Sequence, residues 1–384
     1  MAHPRQSVDT RDILRMKPGT DPVVSCYLKL EPRDRARNKY LTKAKNRVKE
    51  LEYALPSMGW DKHAQESIHA DLARIVDFLR DDTNLPDSQG IAIFASEPLD
   101  LFEVRPLPRV HRSRLAVDRT PLVRELAASE AEFGRILTVT LDRTSALIWE
   151  VTAYEARMIQ KVVSDVTRGM RYHSAGSRGD STGEHTFHNR IRDERRRHLE
   201  TVARAVFDID RKSPGHQIVV AAPANEAAGL EPFLHNYVAD RLIGLARLAP
   251  KDATPAAVHQ LTMEVKAGHA RASEARHIED LAEGLGTGWA VHGVRETLNA
   301  LSQGKIRLLL VRGETILPGF RSMKTGRLST LARDLREDGE VTPTVDVIDD
   351  AIEEALRQRV ALDVIYEPEA AEAIDGLAGL LRFK

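Results

Sequence analysis

The stretch Arg190-Ile-Arg-Asp-Glu-Arg-Arg-Arg-His-Leu-Glu sets the hardest limit on how this chain can fold. Read as a helix advancing about 100° per residue from Arg190, it places Arg192, Arg195, Arg196 and Arg197 near 200°, 140°, 240° and 340°. No face of such a helix is readily buried, because a guanidinium taken out of water without partners carries a large desolvation cost. The turns that follow regain an apolar arc through Leu199, Val202 and Val206, which can lie on a sheet. A helix seated at one end and charged all round at the other is expected to project. The segment before it, Thr167 to Gly183, is rich in Gly, Ser, Arg and His and lacks apolar periodicity, so it reads as an extended loop. It adds Arg168, Arg171, Arg178 and His173 to the basic set, and His185 and His188 follow.

This local cluster matters because the whole chain has no excess charge: 56 Lys and Arg stand against 57 Asp and Glu, a net charge of -1. Any affinity for a polyanion must therefore come from position and not from totals. With 42% hydrophobic and 29% charged residues, wholesale disorder, collagen-like repeats and a coiled-coil rod are excluded. At 384 residues and about 150 residues per domain, two or three domains are expected. The single cysteine, Cys26, leaves no intramolecular disulfide and no multi-cysteine metal site, and fits a reducing compartment. No apolar stretch approaches the roughly 20 residues needed to span a bilayer, and Met1 to Ser7 lacks the apolar region of a secretory signal. A cytoplasmic protein without a membrane partner is expected.

Three α/β blocks follow from the apolar pattern. In the first, Val23 to Leu30 reads as a strand ended by Pro32, and Leu41, Ala44, Val48, Leu51 and Leu55 form one face of a helix. Gly90 to Ala95 is a buried strand with Leu101 to Val104 as its hairpin partner. The second block opens with strands Ile136 to Leu141 and Ser145 to Val151 around an Asp142-Arg143-Thr144 turn. Met158 to Val166 adds a strand, a helix runs from about Glu184 to Asp208, and Ile218 to Ala222 is another strand. The third has a helix Val291 to Gln303 stopped by Gly304, a strand Ile306 to Val311, a helix Val347 to Gln358 and a strand Ala361 to Tyr366. Residues 312–344 read as an exposed excursion.

Two readings attach to the arginine helix. Forked guanidinium donors bind phosphates and release counterions, which favours an RNA-rich partner. Alternatively the helix is a solvated face on which Asp193 and Glu194 pair locally, worth about 0–1 kcal/mol per pair. The lysines between Lys39 and Lys49 admit the same two readings. Gly284-Leu-Gly-Thr-Gly288 follows a helical-looking segment where a dinucleotide site needs a strand, and reads as a turn. His185 and His188 lack an evident third ligand, so no metal site is assigned. Arg178-Gly179-Asp180 matches an adhesion tripeptide by spelling alone. With no Gly-x-Ser-x-Gly elbow and no phosphate-loop Gly-Lys-Ser/Thr, no cofactor is called for.

The order of elements resembles the class I release factors of archaea and eukaryotes, with their relatives Pelota and the bacterial Balon-type proteins. Phe133-Gly-Arg-Ile-Leu-Thr-Val-Thr-Leu-Asp followed by Ser145-Ala-Leu-Ile-Trp resembles the opening of that family's central domain, and the run from Arg190 resembles its arginine-rich helix. His292-Gly-Val-Arg-Glu-Thr-Leu with Ile306-Arg-Leu-Leu-Leu-Val, and Ala361-Leu-Asp-Val-Ile with Gly376-Leu-Ala-Gly-Leu-Leu, resemble its third domain. The resemblance implies an α/β protein of three α/β domains, here 1–131, 132–272 with a basic loop at 167–189, and 273–384. The central domain would be ribonuclease H-like with a projecting basic loop-helix, and the third a small α/β/α sandwich. It also implies entry into the ribosomal A site, the loop reaching the peptidyl-transferase region, and a third domain engaging a translational GTPase of the elongation factor Tu type.

The chain departs from the family at the loop tip. Release factors carry Gly-Gly-Gln there, whereas Thr182-Gly183-Glu184 stands nearest that position and no glutamine occurs between Lys161 and Glu200. A carboxylate has no amide donor, and among phosphates it meets a Coulombic penalty. No Asn-Ile-Lys-Ser stop-codon motif appears in the first domain. The expectation is thus a binding protein without catalytic residues that occupies the A site, as in ribosome hibernation under stress. Arg178, Arg190, Arg192, Arg195, Arg196 and Arg197 would contact rRNA. The rival expectation is a rescue factor that releases peptide with Glu184 positioning water, and a third is an RNA enzyme whose acidic residues converge on a metal.

Overall fold

The computed structural model describes residues 13, 16, 19–164, 181–223 and 227–384, with backbone alone at 130–133 and 181–190. β-Branched and aromatic residues make Val23–Lys29 the first strand, β1, with six of its seven residues buried. It is an inner strand of an antiparallel sheet ordered β3-β2-β1-β4, with β2 at Gly90–Ser96, β3 at Leu101–Leu107 and β4 at Arg114–Asp118. Leu101 to Val104 does form the hairpin partner of β2, pairing Leu101 with Ser96. Helices α1 (Lys39–Ala54) and α2 (Lys62–Arg80) bury Tyr40, Ala44, Ile68, Leu72, Ile75 and Leu79 against one face of the sheet. Asp61 caps α2 by accepting the Ala64 N–H at 2.8 Å, which satisfies an otherwise orphaned donor of the first turn. Helix α3 spans Arg124–Phe133.

The central segment is built on a five-stranded sheet ordered β7-β6-β5-β8-β9. β5 is Ile136–Leu141, β6 Ser145–Val151 and β7 Ala156–Val163; these three are antiparallel. β8 (Gln217–Ala221) and β9 (Leu242–Ala246) continue in parallel from β5. The β5–β6 turn is held by Asp142, whose Oδ1 accepts the N–H groups of Thr144 and Ser145, both at 2.8 Å. Burial pushes the Asp142 carboxyl up, but these bonds and the two hydroxyl groups outweigh it and hold its pKa below the usual range.

Between β7 and β8 runs helix α4, Ser181–Lys212. Leu199, Val202, Ala203 and Val206 bury on one face of the sheet beside Val139, Ile148 and Val220. The opposite face, through Trp149, Val151 and Val219, is covered by Val258 and Leu261 of helix α5, Pro255–Thr287. Helix α4 begins three residues earlier and ends four residues later than the apolar pattern alone predicts.

The last segment adds a four-stranded sheet ordered β10-β16-β11-β15, with β10 at Ala290–His292 and β11 at Ile306–Arg312. β12 (Gly319–Ser322), β13 (Leu328–Ser329) and β14 (Val341–Thr344) form a second, three-stranded sheet. β15 is Ala361–Ile365 and β16 Leu377–Leu381. Helices α6 (Val294–Ser302) and α7 (Val347–Arg357) cover one face of the larger sheet. Helix α8 (Pro368–Glu372) and the end of α5 cover the other through Ala371, Ile374 and Leu281, giving three layers. Here the expectations need correction. Val291 and His292 pair with β16 and not into a helix, because Gly293 at φ +87° separates them from α6. Residues 312–344 are no exposed excursion: Arg321 is buried between Asp350 (2.7 Å) and Glu353 (2.6 Å), so polar sequence is interior where its charges are paired. Gly284 and Gly286 lie inside α5, and Gly288 alone of the three turns, at φ +76°.

Two compact units result, residues 1–131 with 273–384, and residues 132–272. In the first, Tyr27, Phe94 and Ala116 share one core with Leu298, Leu309 and Ile352. Asp346 takes ion pairs from Arg114 (2.9 Å) and Arg124 (2.8 Å), and Asp349 accepts the N–H groups of Val123 (2.8 Å) and Arg124 (2.9 Å). Burial raises the Asp349 carboxyl to about 6 against the pull of Arg124. The His111 and Tyr366 rings stack at 3.4 Å.

Candidate nucleic-acid interface

The core-facing stripe of α4 changes character along its length. Val206, Val202 and Leu199 are buried, but one and two turns toward the amino end the same stripe reads Arg195 and Arg192, and both are exposed. An inward-pointing position that is nonetheless exposed means the helix has run past the sheet edge. The expected overhang is therefore present in the described part. Arg196 and Arg197 are exposed as well, with Arg196 Nε bonded to Glu200 at 2.9 Å, an i,i+4 pair open to solvent. Arg195 lies beside Gly229: a Cβ built on that glycine would stand 3.4 Å from its Nη2.

His198 marks the point where the helix leaves the sheet. It is buried, and its Nδ1 lies 2.7 Å from Ser164 Oγ. Burial depresses the imidazole pKa, opposed by backbone carbonyls of Ser145 and Asp142 and by the Asp142 carboxylate, so the ring is held neutral. At the other end of α4, Asp210 receives Arg241 through two bonds, at 2.8 and 2.5 Å, which holds its carboxyl low. Neither anchor was found from the sequence; the only hint of His198 is its place between the last arginine and Leu199.

The remaining assigned positions divide. Thr182, Gly183 and Glu184 lie on the first turn of α4, so the segment expected as loop at 167–189 is helical from Ser181. Arg190 lies on the same helix. Arg178, with Arg168, Arg171 and His173, lies outside the described residues, as do the side chains of His185 and His188. Among the described residues, no group of three His, Cys, Asp or Glu is placed to hold a metal ion. Also among them, no helix is long and apolar enough to cross a membrane.

The first unit carries a cationic face of its own. Arg37, Lys39, Lys45 and Lys49 are exposed on and before α1, and Lys45, Lys49 and Tyr53 follow at four-residue steps along one stripe. Tyr53 is 91% exposed. Lys43 is paired with buried Asp34 at 2.5 Å and Arg47 with Glu50 at 3.6 Å. Arg37 and Asn38 both adopt left-handed backbone conformations, φ +58° and +54°.

Residues 121–267 match the family model "Bacterial archaeo-eukaryotic release factor family 10". The central segment is release-factor-like. Solved structures of similar proteins are more distant. Archaeal translation termination factor aRF1 is 16% identical over 98% of this chain and 99% of its own, with a TM-score of 0.27. The ribosome-bound archaeal Pelota is 15% identical over 77% and 78%, with a TM-score of 0.41. Dom34 of S. cerevisiae, a translation termination-like factor interacting with Hbs1, is 12% identical over 79% and 75%, with a TM-score of 0.39. No curated protein matches the chain. The release-factor-like segment contains the whole of α4, so the basic helix is part of the matched region.

Proposed function

We propose that this chain is a ribosome-binding translation factor that occupies the A site without hydrolysing peptidyl-tRNA, in ribosome dormancy. The observation that carries this reading is the overhanging arginine half of α4 inside a release-factor-like segment. Guanidinium groups exposed past the sheet edge can meet phosphates in a groove without first breaking buried contacts. The sequence between Lys161 and Glu200 lacks the glutamine that the family uses on the ester, which supports a binding role over peptide release. The exposed lysines of α1 give the other unit a phosphate-binding face of its own. By the same resemblance the last segment engages a translational GTPase of the elongation factor Tu type, and the protein works in the cytoplasm.

Purified protein added to vacant ribosomes should co-sediment at modest ionic strength and release no labelled peptide from stalled complexes. Failure to pellet would overturn the ribosome assignment. Single-turnover peptide release lost in Glu184→Ala would replace the non-hydrolytic reading with the rescue reading.

A further inference from the structure

The arginine overhang accounts for one end of α4. At the other end a second feature reaches outward from the core into solvent. The rings of Phe207, His235 and Tyr237 form a ladder, with centroids 4.8 Å apart between Phe207 and His235 and 5.1 Å apart between His235 and Tyr237. The planes diverge by 33° and 24°. Phe207 is the inner rung, partly buried on the central core. Tyr237, the outer rung, is 73% exposed, so burial cannot be what keeps an aromatic residue there.

The ladder is held in place before any ligand arrives. His235 Nδ1 accepts the Tyr237 N–H at 3.4 Å, which caps the short helix Asn236–Ala239 and orients the imidazole ring. Arg241 donates from Nε to the Tyr237 carbonyl at 2.8 Å while its other nitrogens grip Asp210. A stacked, outward-facing pair of rings on a backbone already held by hydrogen bonds loses little freedom when a further flat ring is added. Arg204 and Arg211 stand three residues before and four after Phe207, on its side of α4, and both are exposed. Arg211 is within 3.9 Å of Asp208 with most of its side chain in water, a weak pair that a phosphate can displace. Aromatic face plus flanking guanidinium groups is the chemistry of a single-stranded nucleic-acid site, in which a base stacks and its phosphates are held alongside.

We propose that Phe207, His235 and Tyr237 form a stacking platform for an unpaired RNA base, with Arg204 and Arg211 holding the adjoining phosphates. This rests on the reading of α4 as an RNA-binding helix and adds base stacking to phosphate contact.

The test uses the full-length chain with two fluorescent single strands of equal length, an oligoadenylate and its abasic analogue, which carries the same phosphates without bases. Wild type should bind the oligoadenylate more tightly, and Tyr237→Ala should lower that affinity about 5- to 100-fold while leaving the abasic strand unaffected. Tyr237→Trp should retain the preference. Equal binding of both strands by wild type overturns the platform, as does an equal loss of both strands in Tyr237→Ala. The α4 reading is judged separately by reversing Arg192 and Arg196. A loss on both strands upholds phosphate binding whatever Tyr237 does, and no loss on either removes that reading and the platform with it.

Discussion

Neutralising Arg192, Arg195 and Arg196 together should change the salt dependence of ribosome binding more than it changes the fold. These three lie within about 100° of one another on the helical wheel, so they can face one phosphate-lined surface at once, whereas Arg197 lies on the other side. Each phosphate neutralised contributes about 0.9 to the slope of log affinity against log salt on a duplex, so three contribute about 2.7. Between about 50 and 200 mM salt a slope of that size is worth about 40-fold in affinity. The triple Gln variant should lose this share of the salt response, and Arg197→Gln should lose much less. The fold is expected to tolerate the change because all three side chains are exposed, and releasing the Arg196–Glu200 pair costs at most about 1 kcal/mol. Ribosome pelleting across a salt series reads the slope, and far-ultraviolet circular dichroism checks the helix. An unchanged slope in the triple variant would refute the assignment of this arc to phosphate contact.

Asp346→Ala should destabilise the first unit by about 3–5 kcal/mol, since it leaves the buried guanidinium groups of Arg114 and Arg124 without their shared carboxylate; urea midpoints measure it. Asp71 is buried and accepts the Glu97 N–H at 3.1 Å, and burial, opposed by that bond and by Arg74, lifts its pKa from 3.8 to about 6. The folded state therefore holds this proton more tightly than the unfolded chain. Its favourable contribution is complete below about pH 4 and is lost as pH rises through about 6. Asp71→Asn should accordingly be more stable than wild type at neutral pH, by about 1–3 kcal/mol, with the advantage vanishing near pH 4. Gly313→Ala would place a methyl group against the Tyr366 ring, where the space is already filled, and should cost about 1–3 kcal/mol in thermal or urea unfolding.

The parts of the fold that could be read from residues are those whose apolar period runs unbroken along the element. Ile136–Leu141 and Ser145–Val151 stand as expected, because alternating contacts and an Asp142 turn leave one register open to them. Only the end of helix α5, before Gly284, reads as helical from the sequence, because the inward stripe of the helix changes partner. Val258 and Leu261 cover the central sheet, whereas Ile278 and Leu281 pack in the other unit, so no single apolar period runs through it. The small sheet β13-β12-β14 was missed because Arg321, Ser322, Thr342 and Thr344 are polar yet buried, and their partners, such as Glu353 and Asp118, lie far off in sequence. The same limit applies at the candidate site. The arginines announce themselves by charge, but His198 and Asp210, which fix the two ends of α4, gain their meaning from Ser164 and Arg241, and the Phe207–His235–Tyr237 ladder exists only once α4 meets residues 235–237.

The sheet β3-β2-β1-β4 is made first, with α1 and α2 to coat one side, yet the other side, lined by Tyr27 and Phe94, has Ile13 and the segment 122–128 against it but not the rest of its core until Leu298, Leu309 and Ile352 have been synthesised. The inserted unit is complete by Ala272 and can settle in the interval. The portion begun earliest is thus the last to close, and during translation its half-covered aromatic side is the surface a nascent-chain chaperone would meet.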